Sequence, residues 1–165
     1  MKHREQELSH ISPVGKARVV DVSAKAVSPR RAVAEAWVNV GTQIAEKLAR
    51  CGAVAKGNVL ETARLAGILA AKQVPNLIPM CHSLSLDNVE LEAELMEEQV
   101  RVTAVVCCEG KTGVEMEAMT AAVVAALTVY DMVKSAGKAV EIGPVRLLEK
   151  SGGKSGHWCR EQDNG

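Results

Sequence analysis

The sequence predicts an α+β fold, an antiparallel sheet with helices packed on one face. Three observations carry this expectation. Val89, Leu91, Ala93 and Leu95 alternate with Glu90, Glu92 and Glu94, and Val100, Val102, Ala104 and Val106 alternate after a polar turn at 97–99. That is a hairpin with one apolar face and one acidic face. Residues 59–72, VLETARLAGILAAK, set apolar or small residues at Val59, Leu60, Ala63, Ala66, Gly67 and Ala70, which is helical spacing. Residues 115–134 form a longer helix, almost wholly apolar from 121 to 130.

The remaining elements follow in chain order. Residues 1–16 are polar and read as a flexible arm. ARVVDV at 17–22 reads as a short strand. Residues 28–40 are ambiguous, because Pro29 suits a turn or a helix start while AWVNV alternates like a strand. Thr42 can cap a helix through QIAEKLARC that stops at Gly52, and Asn58 can cap the helix after it. Pro75 and Pro79 bracket an expected extended segment containing LIPMCHSL. Residues 142–148 read as a last strand, and 151–165 as a flexible Gly/Ser-rich tail. The chain is therefore expected to hold one catalytic domain, at 17–150.

Composition narrows the function. The chain has 165 residues, with 20 Lys and Arg against 20 Asp and Glu, no Phe, one Tyr and two Trp. No net field attracts nucleic acid or membrane, and there are few rings on which bases could stack. A core of small residues demands close packing and favours help from other subunits. The five cysteines have no CxxC and no cluster spacing. No uncharged run is long enough to cross a bilayer, and the N-terminal residues have no signal-like apolar stretch. A cytoplasmic protein with reduced thiols is expected.

Several clusters could carry chemistry. SGGKSG at 151–156 is not a P-loop, since the first glycine would fall at Leu148 and no helix follows. By itself it reads as a loose tail with Lys154 in it. GKTGVEMEAMT at 110–120 puts Lys111 beside a helix N-terminus, which suits a phosphate. Glu115 and Glu117 there also fit as plain complements to the helix dipole. Asp131 and Lys134, three apart, share one helix face and pair either as surface charges or as an acid and a base. Glu117 and Asp131 are ~21 Å apart along a straight helix. One small-molecule site using both would combine two chains. Cys81 and His82 are adjacent and chelate one metal poorly, so no metal site is expected. Lys56 precedes a helix, again a layout for an anion. Together the cations outline a site for a nucleotide or a polyphosphate ester.

KGNVLETARLAGILAAK, LIPMCHSLSL, GKTGVEMEAMTAAVVAALTVYDMVK and IGPVRLLEKSGGKSG closely resemble the MoaC family, the cyclic pyranopterin monophosphate synthases of molybdenum cofactor biosynthesis. The resemblance runs from about residue 9 to 156. It implies a ferredoxin-like sandwich assembled as a homohexamer, a trimer of dimers, with sites at subunit interfaces. It implies a lyase acting on a cyclised dihydro-GTP supplied by a separate radical enzyme, releasing pyrophosphate. No cofactor is required, and Mg²⁺ with the triphosphate stays open. Residue by residue, Asp131 and Lys134 match the catalytic pair. Met80, Cys81, His82, Met116 and Glu117 match substrate-binding positions, and Lys56, Glu115 and Lys150 match other active-site positions. Arg30, Lys111 and Lys154 are expected near the triphosphate. The chain departs from the family pattern at Ser83, where Pro is usual, and at Gln73-Val74, where Arg-Thr is common. The competing readings are a nucleotide-binding module without chemistry and a Cys/His metal protein.

Overall fold

The computed structural model describes residues 15–161 except 52, 55 and 56. Its elements in chain order are β1 (Ser28–Asn39), α1 (Thr42–Cys51), β2 (Ala53–Val54), β3 (Gly57–Asn58), α2 (Val59–Ala71), α3 (Val74–Leu77), β4 (Asn88–Met96), β5 (Gln99–Gly110), α4 (Glu115–Val133), β6 (Glu141–Ser151) and β7 (Trp158–Cys159). The main sheet has the order β4-β5-β1-β6-β7, and every pair is antiparallel. β1, α2, β4, β5, α4 and β6 make a β-α-β-β-α-β unit. Each helix crosses over one intervening strand. This is the ferredoxin-like arrangement. α1 and the small β2–β3 hairpin are inserted between β1 and α2.

The ambiguous segment is the central strand. Ala32, Ala34, Ala36 and Val38 point beneath the helices and are fully buried. They face Ala118, Ala121, Ala122, Ala125 and Ala126 of α4, all fully buried as well. Alanine on both surfaces lets the helix lie close to the sheet, which explains a core without rings. Gly67 does the same where α2 meets α4. A Cβ there would stand 2.7 Å from the Ala121 carbonyl oxygen and would also strike Leu91. Asn58 caps α2 as its sequence predicts, accepting from the Glu61 amide at 3.0 Å. α4 is long and apolar enough to cross a membrane by length and composition. Here it is the core helix, packed on the sheet and on α2.

The opposite face of β1 is polar. Glu35 is only 2 % exposed, although it points away from the helices. Arg146 Nε donates to it at 2.7 Å and Arg101 at 3.0 Å. Burial alone would raise its pKa, but these arginine hydrogen bonds outweigh burial and lower it.

Three expectations are corrected. Residues 17–22 are not a strand. Only Ala17 makes an isolated bridge, because the alternation has no neighbouring strand edge to pair with. The segment between Pro75 and Pro79 is not extended throughout. Pro75 sits in the first turn of α3, where its missing N–H costs nothing. Finally, the segment expected as a tail begins with the end of β6, continues through a 3-10 turn at Gly153–Ser155, and forms β7 on the sheet edge. Gly52 and Lys56 lie outside the described residues.

Candidate active site

The site is built where β5 hands over to α4. β5 ends at Gly110, the chain turns, and α4 begins at Glu115. Gly113 leaves room at this turn for the Glu115 carboxylate, which would have to swing away from any side chain placed there. The first turn of α4 has free amides, and Glu115 and Glu117 complement its positive end. The segment after α3 passes over the same place and brings Met80, Cys81 and His82 to it. A cavity of about 380 Å³ results. Met80, Cys81, His82, Glu115, Met116 and Glu117 all line it. Six of the residues expected at the site are thus gathered at one cavity.

Glu117 is a carboxyl taken out of water by folding. It is 3 % exposed. Burial pushes its pKa up; its own backbone N–H pulls the other way without cancelling burial, and the nearby Glu115 charge adds a smaller upward push. Cys81 is also raised, first by burial and then by the Glu117 charge, so its thiol stays protonated. His82 Nε2–H donates to the Val20 carbonyl at 2.7 Å. A carbonyl can only accept, so the proton is on Nε2 and a neutral ring keeps Nδ1 as an acceptor.

Three of the expected cations, Lys150, Lys111 and Arg30, stand beside residues of this cavity and are engaged by the protein. Lys150 Nζ, on β6, pairs with Glu115 at 3.0 Å. Lys111 Nζ donates to the Ser23 carbonyl at 2.8 Å. Arg30 Nε donates to the Gly110 carbonyl at 3.1 Å and Nη2 to that of Lys111 at 3.3 Å. Its guanidinium also lies against Gly153, so closely that a side chain at 153 would overlap it. Arg30 therefore ties together the two glycine-containing turns that carry Lys111 and Lys154. Lys154 is exposed on its short turn.

Asp131 and Lys134 are not at this cavity. They sit at the far end of α4, Asp131 in its last turn and Lys134 at its C-cap, with Nζ 2.5 Å from Oδ1. Their side chains are 56 % and 53 % exposed. The Asp131 hydrogen bond and charge raise the pKa of Lys134. Val20, Val22, Lys25 and Thr112 also line the cavity and were not singled out by sequence. The only local signal was the alternation of Val20 and Val22, which suggested a strand instead. Among the described residues, no three His, Cys, Asp or Glu side chains gather as metal ligands would.

A ferredoxin-like sandwich with ionisable groups around one concave pocket defines a small-molecule site on a common scaffold. Comparison with known proteins identifies the particular family. The MoaC family model matches residues 19–153, and the chain belongs to that family. It is 49 % identical over 156 residues to "Cyclic pyranopterin monophosphate synthase" of Desulfitobacterium hafniense (strain DSM 10664 / DCB-2), covering 94 % of this chain and 95 % of the relative. It is 50 % identical over 161 residues to "Molybdenum cofactor biosynthesis protein 1" of Drosophila melanogaster, covering 96 % of this chain but 28 % of that longer protein.

Proposed function

We propose that the chain is a cyclic pyranopterin monophosphate synthase, a phosphorus–oxygen lyase. It converts a cyclised dihydro-GTP to cyclic pyranopterin monophosphate and releases pyrophosphate. The observation that carries this reading is the cavity uniting His82, Glu115 and Glu117 in a chain closely similar to a full-length protein of that name. The cavity carboxyls suit the guanine edge, whose N–H groups a carboxylate accepts. Lys111, Lys150, Lys154 and Arg30 suit the charge that grows on departing pyrophosphate.

Asp131 and Lys134 serve as the acid–base pair. In the single chain the ammonium is held protonated and is solvated. To act as a base it must lose hydration, which lowers an ammonium's pKa. A second subunit or the substrate has to supply that cover. Leu127, one turn before Asp131, is 55 % exposed, and Val123, Leu65 and Leu69 are exposed apolar residues on α4 and α2. These support an assembly of identical subunits, the cytoplasmic homohexamer of the family, with each site formed at an interface. Any Mg²⁺ would enter with the triphosphate.

The deciding experiment is to incubate the enzyme with the cyclised dihydro-GTP and measure pyrophosphate. Stoichiometric binding with no pyrophosphate at any enzyme concentration would make the protein a nucleotide-binding module instead. Mixing Asp131→Ala with Glu117→Ala subunits tests the shared site. Each variant alone should be impaired, and the mixture should regain activity that neither shows alone.

A further inference from the structure

Residues 18–25 belong to no helix or strand, yet they form one wall of the cavity. Val20 and Val22 turn inward while Val19 is exposed. The segment holds its own shape. The Ser23 amide donates to Asp21 Oδ1 at 2.8 Å, and the Lys25 amide donates to the Val22 carbonyl at 3.0 Å. This closed turn delivers Lys25 to the cavity rim. Two expected substrate-binding side chains, His82 and Lys111, are tied to the same segment through the carbonyls of Val20 and Ser23.

Among the described residues, Lys25 is the only lysine on the cavity lining, which otherwise has two carboxylates and one histidine. The cations expected from sequence stand differently. Lys150 is paired with Glu115, and Lys111 is held by a backbone carbonyl. Among the described residues, Lys25 Nζ makes no hydrogen bond or ion pair. Its three donors remain available to a ligand. An unpaired ammonium beside carboxylates lowers the energy of an incoming anion, which those carboxylates would otherwise repel.

We propose that Lys25 is a further substrate-binding residue, donating to an anionic oxygen of the substrate from a strap, residues 18–25, that resettles when the cavity fills. This rests on the proposed synthase activity for the identity of the substrate. A ligand that takes the Nε2–H of His82 must displace the Val20 carbonyl, whereas Lys111 Nζ can keep the Ser23 carbonyl and give its other protons to the ligand. Binding and strap position are therefore coupled, and Lys25 is the side chain through which the strap gains by staying closed.

The test uses the full chain and pyrophosphate release. Lys25→Ala should raise KM about tenfold, the size of one lost charge-assisted hydrogen bond, with kcat little changed. Lys25→Arg should recover most of the loss, and the gap between Lys25→Ala and wild type should narrow in added salt. Lys47→Ala, on the exposed face of α1, controls for simple loss of charge. The thermal midpoint of Lys25→Ala should match wild type, since the side chain is exposed. In hydrogen exchange, amides of residues 18–25 should gain protection when substrate is added. An unchanged KM in Lys25→Ala overturns the role of Lys25, and unchanged exchange overturns the strap. If wild type itself releases no pyrophosphate, the synthase reading fails instead. Inorganic pyrophosphate titrated calorimetrically into wild type and Lys25→Ala then still decides, and equal affinities overturn the proposal.

Discussion

The two ends of α4 hold ionisable groups under opposite conditions. At the N-terminal end Glu117 is buried in a cavity, and its carboxyl is held toward the neutral form before any ligand arrives. At the C-terminal end Asp131 and Lys134 are more than half exposed and satisfy each other. The first end is prepared by folding of one chain. The second is an ordinary surface pair until something covers it. Roughly 21 Å of rigid helix separates Glu117 from Asp131. One α4 cannot bring its two ends to the same small substrate, but the ends of two helices from different subunits can meet.

The contrast can be broken most strongly at the exposed end. Lys134→Ala should reduce pyrophosphate release by about a hundredfold or more, the scale of lost acid–base catalysis. Near-normal turnover in that variant would leave the pair with a surface role only.

A second effect acts on both ends through the seat of the helix. Gly67→Ala places a methyl against the Ala121 carbonyl, and a backbone oxygen cannot rotate away as the Leu91 side chain can. Overpacking of this kind costs ~1–3 kcal/mol, against ~1 kcal/mol gained in helix propensity. The net denaturant midpoint should fall, and a rise would mean that α2 and α4 can separate without loss.

The buried end responds to pH. A carboxyl whose folded pKa is raised binds more protons in the folded state than in the unfolded one. Stability at Glu117 is therefore favourable at low pH and declines as pH rises past the ordinary glutamate value toward the folded one. Glu117→Gln should remove that decline and stabilise the fold at neutral pH by on the order of 1 kcal/mol, while lowering activity. Urea midpoints of both proteins from pH 4 to 8 test this, and parallel curves would argue that Glu117 is not strained by burial. The smallest effect belongs to the other end again. Asp131→Asn should leave the urea midpoint unchanged within error, because solvated ion pairs contribute little.

What could be read in advance depended on how local the cause was. The hairpin of β4 and β5, the Asn58 cap and the limits of α4 follow from alternation, capping and apolar spacing within short windows. β1 is ambiguous in sequence because Pro29 suits a turn or a helix start while AWVNV alternates like a strand, and its strand character comes from β5 and β6 on either side. ARVVDV was misread for the converse reason, since it alternates without an edge to join. At the site, residue types within MCH and GVEME were legible, as was the separation of Glu117 from Asp131. The Lys150–Glu115 pair, 35 positions apart, and the turn that brings Lys25 to the cavity were not.

By itself the sequence determined the α+β class, the long core helix, the small-residue packing and the motifs that mark the MoaC family. Each is a property of neighbouring residues or of composition. Only the tertiary structure decided that β1 is central, that Glu35 is buried between two arginines, and that His82 and Glu117 share a cavity walled by residues 18–25. Those facts depend on contacts between distant segments, where burial and charge act through space and leave no periodic mark along the chain.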